Sequence, residues 1–297
     1  MIMPQSILRL DPDHVLVRPT RLSDVDALAN LLMSHQHSHI NLPDQNLMAL
    51  VEFGIGVVLT VRGRIEGCAL AGIPLANQTW LRAVGLSDRI AVDEGLALLL
   101  PALHQQLAQA HLHACYYGGD AAADGWLAPH LLTYGYQHDT YVITYAKQDA
   151  LVPHVGNQQV ALRTATFADL ETIVDLDHRC FEPHWIKPFD LMEAIFTAGH
   201  RFVVAQIDRQ LVGYTLATAY TYSQQIHLVR IAVAPEYRHH GIGARLLVDL
   251  IDQAKAHRSE RITLNTQEYN PARRLYESFG FQRTGERQLI LRLPLAE

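Results

Sequence analysis

The sequence predicts an α/β chain made of two copies of one unit, each a mixed, mostly antiparallel sheet flanked by helices. Three observations carry this. At 297 residues the chain has the length of two ordinary domains. Segments of period two alternate with segments of helical period. The same order of segments then runs twice. Arg163 follows Arg18, Asp169 follows Asp24 and Gly280 follows Gly135 by 145 residues each, and Gly213 follows Gly67 by 146. The strings Tyr134-Gly135-Tyr136-Gln137 and Phe279-Gly280-Phe281-Gln282 agree as well. Landmarks repeating in order at one spacing argue for duplication, with domains at residues 1–150 and 158–297.

In the first copy, residues 15–18 read as a strand. Ser23 or Asp24 caps a helix bearing Val25, Leu28, Leu31 and Leu32 at helical spacing. Residues 41–46 form a turn-rich break. Residues 57–61 and 65–73 form a hairpin around Arg62-Gly63-Arg64. Residues 94–110 are helical, with Pro101 as a kink or a first turn. A short helix at 126–134 ends at Gly135, a strand follows at 140–145, and residues 147–158, with Pro153 and Gly156, read as a linker. In the second copy, a strand at 160–164 precedes a helix opened by Asp169, with Leu170, Ile173, Val174 and Leu176 on one face. Strands at 202–207 and 211–219 form a hairpin, and another strand covers 226–233. A glycine-bearing turn, Arg238-His239-His240-Gly241-Ile242-Gly243, then opens a helix over 244–257. Strands at 261–266 and 289–293 complete the copy.

Composition narrows the function. The chain is 49% hydrophobic and 18% charged, which suits a protein with a real core. A net charge of −6 argues against a general nucleic-acid binder. No apolar run approaches the roughly 20 residues of a membrane span, and residues 1–5 lack the basic start and apolar block of a signal peptide. Cys68, Cys115 and Cys180 are far apart and read as reduced buried thiols, so a cytoplasmic protein is expected. No metal site is expected. The alternating histidines of His35-Gln36-His37-Ser38-His39 lack Cys or carboxylate companions and read as a solvated loop.

The glycine turn carries the chemistry. A helix N-terminus offers unpaired N–H groups and a positive dipole end, and glycines let a phosphate approach the backbone. Gly241 and Gly243 allow that approach and Arg238 adds a cation. Neither the three-glycine dinucleotide fingerprint nor the Gly-Lys-Ser/Thr ending of a P-loop is present. The first copy has Asp93, Leu96 and Leu98 where 145 residues later Arg238, Gly241 and Gly243 stand, and Leu131 matches Tyr276. The first copy keeps the scaffold without the pyrophosphate motif.

Residues 238–243 fit the pattern Gln/Arg-x-x-Gly-x-Gly/Ala after an apolar strand. Ala272, Leu275-Tyr276 and Gly280-Phe281 fit the short-helix signature that follows it. In both respects residues 160–297, and more faintly 13–147, resemble the Gcn5-related N-acetyltransferase (GNAT) superfamily. The resemblance implies acetyl-CoA as co-substrate. Ile231, Ala232 and Val233 would meet its pantetheine arm. His239, His240, Ile242 and Ala244 would join Arg238, Gly241 and Gly243 around its pyrophosphate. Asn270 would contact the cofactor from six residues before Tyr276, where the usual pattern has seven, and Tyr276 would be the general acid. Some relatives carry a carboxylate in the fifth strand, but here that stretch reads Leu264-Asn265-Thr266. Glu268 and His227 are the nearest replacements as base. By the same resemblance the loop Cys180-Phe181-Glu182-Pro183-His184-Trp185 corresponds to the one lining the acceptor site, with Glu182 and His184 as amine contacts, or else it is a hydrophobic loop clamped by Phe181 and Trp185. Tyr214, Tyr220 and Tyr222 either line that groove or pack. The expected reaction is acetyl transfer to a primary amine of a small molecule or a peptide N-terminus. The alternative is a CoA-binding sensor with little turnover. The molecule is expected as a monomeric pseudo-dimer or a homodimer.

Overall fold

A computed structural model of the chain describes residues 10–42, 46–120, 123–220 and 222–295. Residues 1–5, read above for a leader, lie outside these, as does part of the break at 41–46. The chain separates into two compact units, Met1–Thr140 with Gln288–Glu297, and Tyr141–Arg287. The sequence boundaries of 1–150 and 158–297 follow the repeat, whereas the compact units follow strand pairing. The two disagree over the last strand of each copy.

The first unit holds strands β1 (Val15–Pro19), β2 (His37–Ile40), β3 (Ile55–Val61), β4 (Arg64–Ala71), β5 (Gln78–Leu86) and β6 (Ala114–Gly118). Its helices are α1 (Val25–Ser34), α2 (Leu47–Phe53), α3 (Val92–Gln109) and α4 (Ala128–Thr133). Pairing runs β1-β3-β4-β5-β6, with β5 and β6 parallel. The last strand on β6 is supplied by Ile290–Pro294, from the far end of the chain. Helix α3 packs Leu96, Leu99, Leu100, Leu103 and Leu107 on one face of the sheet. On the other face Leu28, Leu31, Leu32, Leu50 and Val51 of α1 and α2 pack against Val58, Cys68, Leu70 and Ala83. Pro101 sits inside α3, neither at its first turn nor at its end.

The strand β7 (Gln137–Lys147) delivers its second part, from Tyr141 on, to the second unit, where it pairs antiparallel with β12 (Arg261–Gln267). From β12 the order continues through β11 (Gln225–Val233), β10 (Gln210–Tyr220), β9 (Arg201–Ile207) and β8 (Ala161–Thr164), with β11 and β12 parallel. Helices α5 (Leu170–Cys180) and α6 (Phe189–Thr197) cover one face, placing Ile173, Val174, Leu176 and Met192 on Phe202, Val204, Tyr214 and Leu216. Helix α7 (Ile242–Ala256) covers the other with Ala244, Leu247, Val248, Leu250, Ile251 and Ala254. Each buried Leu, Ile or Val contributes about 1.5–3 kcal/mol, so docking rather than intrinsic propensity holds α7 in place. The short α8 (Arg273–Ser278) precedes β13 (Gln282–Pro294), whose end returns to the first unit.

The same ion pair starts the first helix in both units. Arg18 grips Asp24 through two bonds of 2.7 and 2.8 Å, and Arg163 grips Asp169 through two of 2.7 Å. The repeated Arg and Asp are therefore structural. Among the described residues, no helix is long and apolar enough to cross a membrane, and no group of three or more His, Cys, Asp or Glu is arranged to hold a metal.

Candidate active site

In the second unit, β11 and β12 pair only from Gln225–Arg261 to Leu228–Leu264. Both strands then continue, to Val233 and Gln267. A register shift opposite Leu216 and Ala217 on the β10 side bends β11 at this point. The strands diverge and leave a cavity of about 850 Å³. The Val233 carbonyl faces away from β10, accepting from Cys180 Sγ and Arg238 Nε at 3.4 Å each. Strand alternation turns the N–H and C=O of Ile231 to the same free edge.

At the open end of the gap the chain turns through Pro235–Tyr237 into Arg238 and the start of α7. Gly241 is the helix cap, with φ of +72°, a conformation costly for any residue with a Cβ. The first-turn N–H groups of α7 have no partners within the helix and point toward the cavity end. A Cβ on Gly243 would meet Leu275 Cδ2 at 3.0 Å, so glycine spares that side chain a shift. Arg238, His239 and Arg274 also line the cavity. This arrangement can hold a pyrophosphate.

The segment between the repeats is not an idle linker. Asn157 N–H donates to the Gly241 carbonyl at 3.1 Å, and Asn157 Nδ2 donates to the His240 carbonyl at 2.9 Å. Gly156 passes so close to α7 that a Cβ would lie 2.4 Å from the Arg245 nitrogen. His154 stacks edge-on to Phe279 at 4.6 Å and reaches the cavity wall. Gly and Pro give this stretch the composition of a linker, yet Gly156 serves a close approach to α7.

Tyr276 on α8 is 5% exposed and lines the cavity. Its ring lies 6.4 Å from Tyr145 and 6.2 Å from Phe281, and its hydroxyl has no hydrogen-bond partner among the described residues. Burial pushes its pKa well above the ordinary phenol value, so it stays a proton donor. Asn270 also lines the cavity, but its side chain works locally. Its Oδ1 accepts from Ala272 N–H at 2.9 Å and its Nδ2 donates to Thr266 Oγ1 at 3.0 Å, which fixes the approach to α8.

Ile231, Ala232, Val233, Arg238, His239, Gly241, Ile242, Gly243, Ala244, Asn270 and Tyr276 therefore meet at one cavity. His240 sits in the turn with its ring bonded to the Arg238 carbonyl. Neither of the two candidate bases, His227 and Glu268, is among the lining residues. His227 precedes the point of divergence, where β11 and β12 are still paired, and is bonded to Thr263 Oγ1 at 2.8 Å. Glu268 is half-exposed and lies 3.7 Å from Arg283. Tyr214 is buried against Asp177, and Tyr220 and Tyr222 are exposed away from the cavity.

The sequence reading missed the Arg230–Asp177 pair. Asp177 is fully buried, receives Tyr214 Oη, Lys187 N–H at 3.0 Å and Arg230 Nη2 at 3.5 Å, and forms an ion pair with Arg230 across 3.2 Å, while Arg230 stacks on Phe181 at 4.0 Å. The pair anchors the loop after α5 to β11. Its one signal in the sequence is a carboxylate on the apolar face of a helix.

The matching place in the first unit is filled. Strands β5 and β6 pair from Gln78–Ala114 to Leu81–Tyr117 and stop, as β11 and β12 do 147 residues later. Ala83–Leu86, the counterparts of Arg230–Val233, are then paired antiparallel with His37–Ile40. Of the histidines expected in a solvated loop, His37 and His39 thus lie in β2, and His39 is 1% exposed with Nδ1 at 3.0 Å from Asp120. The free edge of β5 drew this segment into the sheet. Helix α3 begins with Asp93 and Glu94, which already complement the dipole and repel an anion.

Comparison with known proteins agrees with this geometry. The sequence model of the Acetyltransferase (GNAT) family matches residues 170–281. The N-alpha-acetyltransferase RimI of Mycobacterium tuberculosis is 30% identical over 147 residues, 47% of this chain and 89% of that protein. A GCN5-related N-acetyltransferase from Sphaerobacter thermophilus superposes with a TM-score of 0.60 at 15% identity, covering 96% of this chain and 97% of that one. A tandem GNAT protein from the clavulanic acid biosynthesis pathway gives 0.61 at 13% identity, covering 95% and 99%. The two structures are likenesses of fold, and they extend over both units. The chain belongs to the GNAT acetyltransferase family, as a tandem-domain acyltransferase.

Proposed function

We propose that the Tyr141–Arg287 unit is the catalyst and moves the acetyl group of acetyl-CoA directly to a primary amine, of a small molecule or a peptide N-terminus. One observation carries this: a strand gap, a glycine-capped helix and a buried protonated tyrosine share one cavity. Ile231 and Val233 would hold the pantetheine arm by strand-like hydrogen bonds, and residues 238–244 the pyrophosphate. When bound, acetyl-CoA supplies a thioester carbonyl open to attack. Strand N–H groups stabilise the charge developing on its oxygen. Tyr276 gives its phenolic proton to the departing thiolate. Burial raises the pKa of Cys180, whose thiol is spent on the Val233 carbonyl, which supports transfer without a covalent enzyme intermediate. The relative named an N-alpha-acetyltransferase favours a peptide N-terminus among the amines.

The test is calorimetric titration with acetyl-CoA followed by assay of CoA thiol release over polyamines, amino acids, aminoglycosides and unblocked peptides. Binding with release for at least one acceptor is expected; no binding sinks the proposal. A second reading, a CoA-responsive sensor, is favoured by the absence of His227 and Glu268 from the cavity wall. Tyr276→Phe separates them. In an enzyme it lowers kcat about 10²-fold and leaves acetyl-CoA affinity intact. In a sensor it changes neither.

A further inference from the structure

The cavity wall is rich in cations and poor in anions. Arg238 and Arg274 line it, and Arg230, also on the wall, is committed to Asp177. Glu182 is the single carboxylate lining the cavity among the described residues. It lies in the loop after α5. Tyr269, from the turn after β12, donates its hydroxyl to Glu182 Oε2 at 3.0 Å, and both side chains belong to the wall. His184 Nε2 is 3.7 Å from the same oxygen. Glu182 Oε1 has no hydrogen-bond partner among the described residues, and the side chain is 56% exposed. The carboxylate is thus held from one side and open on the other.

The first unit gives an independent view of this segment. Residues 37–40, which stand 145 before 182–185, lie along the free edge of β5 and close the gap. In the second unit Pro183 removes a backbone donor that such pairing would use. The segment instead stands back as a wall and carries Glu182.

We infer that Glu182, oriented by Tyr269, receives the acceptor's ammonium group and takes its first proton. This rests on the acetyl-transfer reading and supplies the base that it lacks. The protons balance. The ammonium gives one proton to the Glu182 carboxylate, and the neutral nitrogen forms its bond to the acetyl carbon as the carbon–sulfur bond breaks. Tyr276 protonates the thiolate. The second proton lost by nitrogen returns to Tyr276 through water, and the Glu182 proton passes to solvent. The acceptors selected are cationic amines, in preference to neutral or anionic nucleophiles.

The probes are spermidine and an unblocked hexapeptide, offered to the full chain. In titrations at pH 6.5 with CoA present, Glu182→Gln is expected to weaken probe binding at least ten-fold and to leave the affinity for acetyl-CoA unchanged. Gln still accepts from Tyr269, so the loop is preserved. In turnover, kcat/KM of the variant falls about 10²-fold at pH 7. With the peptide it recovers toward wild type by pH 9.5, because an α-amino group titrates near about 7.7–8.0 and then needs no base. Tyr269→Phe raises KM without that recovery. Probe affinity and pH profile within two-fold of wild type in Glu182→Gln overturn the inference. So does a wild type that binds acetyl-CoA but neither probe, which leaves the cofactor site standing. A wild type that does not bind acetyl-CoA removes the underlying reading as well.

Discussion

Gly241 holds φ at +72° while its carbonyl accepts from both Asn157 and Arg245. A side chain there meets Asn157 at 3.2 Å and pays about 1–2 kcal/mol for the backbone conformation. Gly241→Glu adds a negative charge where the helix end favours an anion. Acetyl-CoA affinity should fall at least about 100-fold, from strain and repulsion together, while the melting temperature moves only a few degrees. Unaltered affinity in a calorimetric titration would sink the placement of the site. The places of Gly241 and Tyr276 at the cavity were legible in the sequence because they depend on local backbone chemistry and short spacings. Those of His227 and Glu268 off its wall were not, because they depend on where β11 stops pairing with β12. Glu182 was a candidate amine contact in the sequence, and its standing as the lone carboxylate of the wall among the described residues emerges only when both sides of the cavity are brought together.

At the scale of elements, the strands and helices with clean periodicity were readable, and the elements that deceived are those shaped by a partner. Residues 37–40 form a strand because β5 offers a free edge. Residues 147–158 look like a linker by composition, yet Gly156 and Asn157 brace the start of α7. The paired starts of α1 and α5 carry a pH signature. Asp24 and Asp169 are held below the usual carboxylate range by the guanidiniums of Arg18 and Arg163. A carboxyl whose folded pKa is depressed stabilises the fold above its unfolded pKa of about 3.9 and loses that contribution as pH falls through the folded value. Both pairs are partly solvent-screened, so each is worth on the order of 1 kcal/mol or less. Wild-type stability in urea should be flat above about pH 5 and decline below about pH 4. The double variant Asp24→Asn, Asp169→Asn should start lower and decline less steeply. Parallel profiles would show that other groups dominate acid unfolding.

At the scale of the whole molecule, the repeat says that there are two copies, and pairing says what each copy can do. The gap that forms a cavity in one unit is closed in the other by β2, and the helix behind it begins with Asp93 and Glu94. One acetyl-CoA per chain is therefore expected in calorimetric titration; two sites of comparable affinity would contradict the closure.

The repeat also suggests cutting the chain at residue 158, and the pairing argues against it. Residues 142–147 form the ladder beside β12, and their side chains include Ile143 and the fully buried Tyr145, packed with Leu264, Tyr276 and Phe279. Each such side chain is worth about 1.5–3 kcal/mol, and each ladder hydrogen bond about 1 kcal/mol. Their sum is comparable with the 5–15 kcal/mol that stabilises a whole domain. Their removal also bares the edge of β12 to other chains. Meanwhile residues 290–294 would be left without β6. A fragment of residues 158–297 should therefore be insoluble or unfolded by circular dichroism, whereas residues 141–287 should fold cooperatively and bind acetyl-CoA. A folded, acetyl-CoA-binding fragment 158–297 would mean that the ladder beside β12 is dispensable and that the repeat, after all, marks the folding unit.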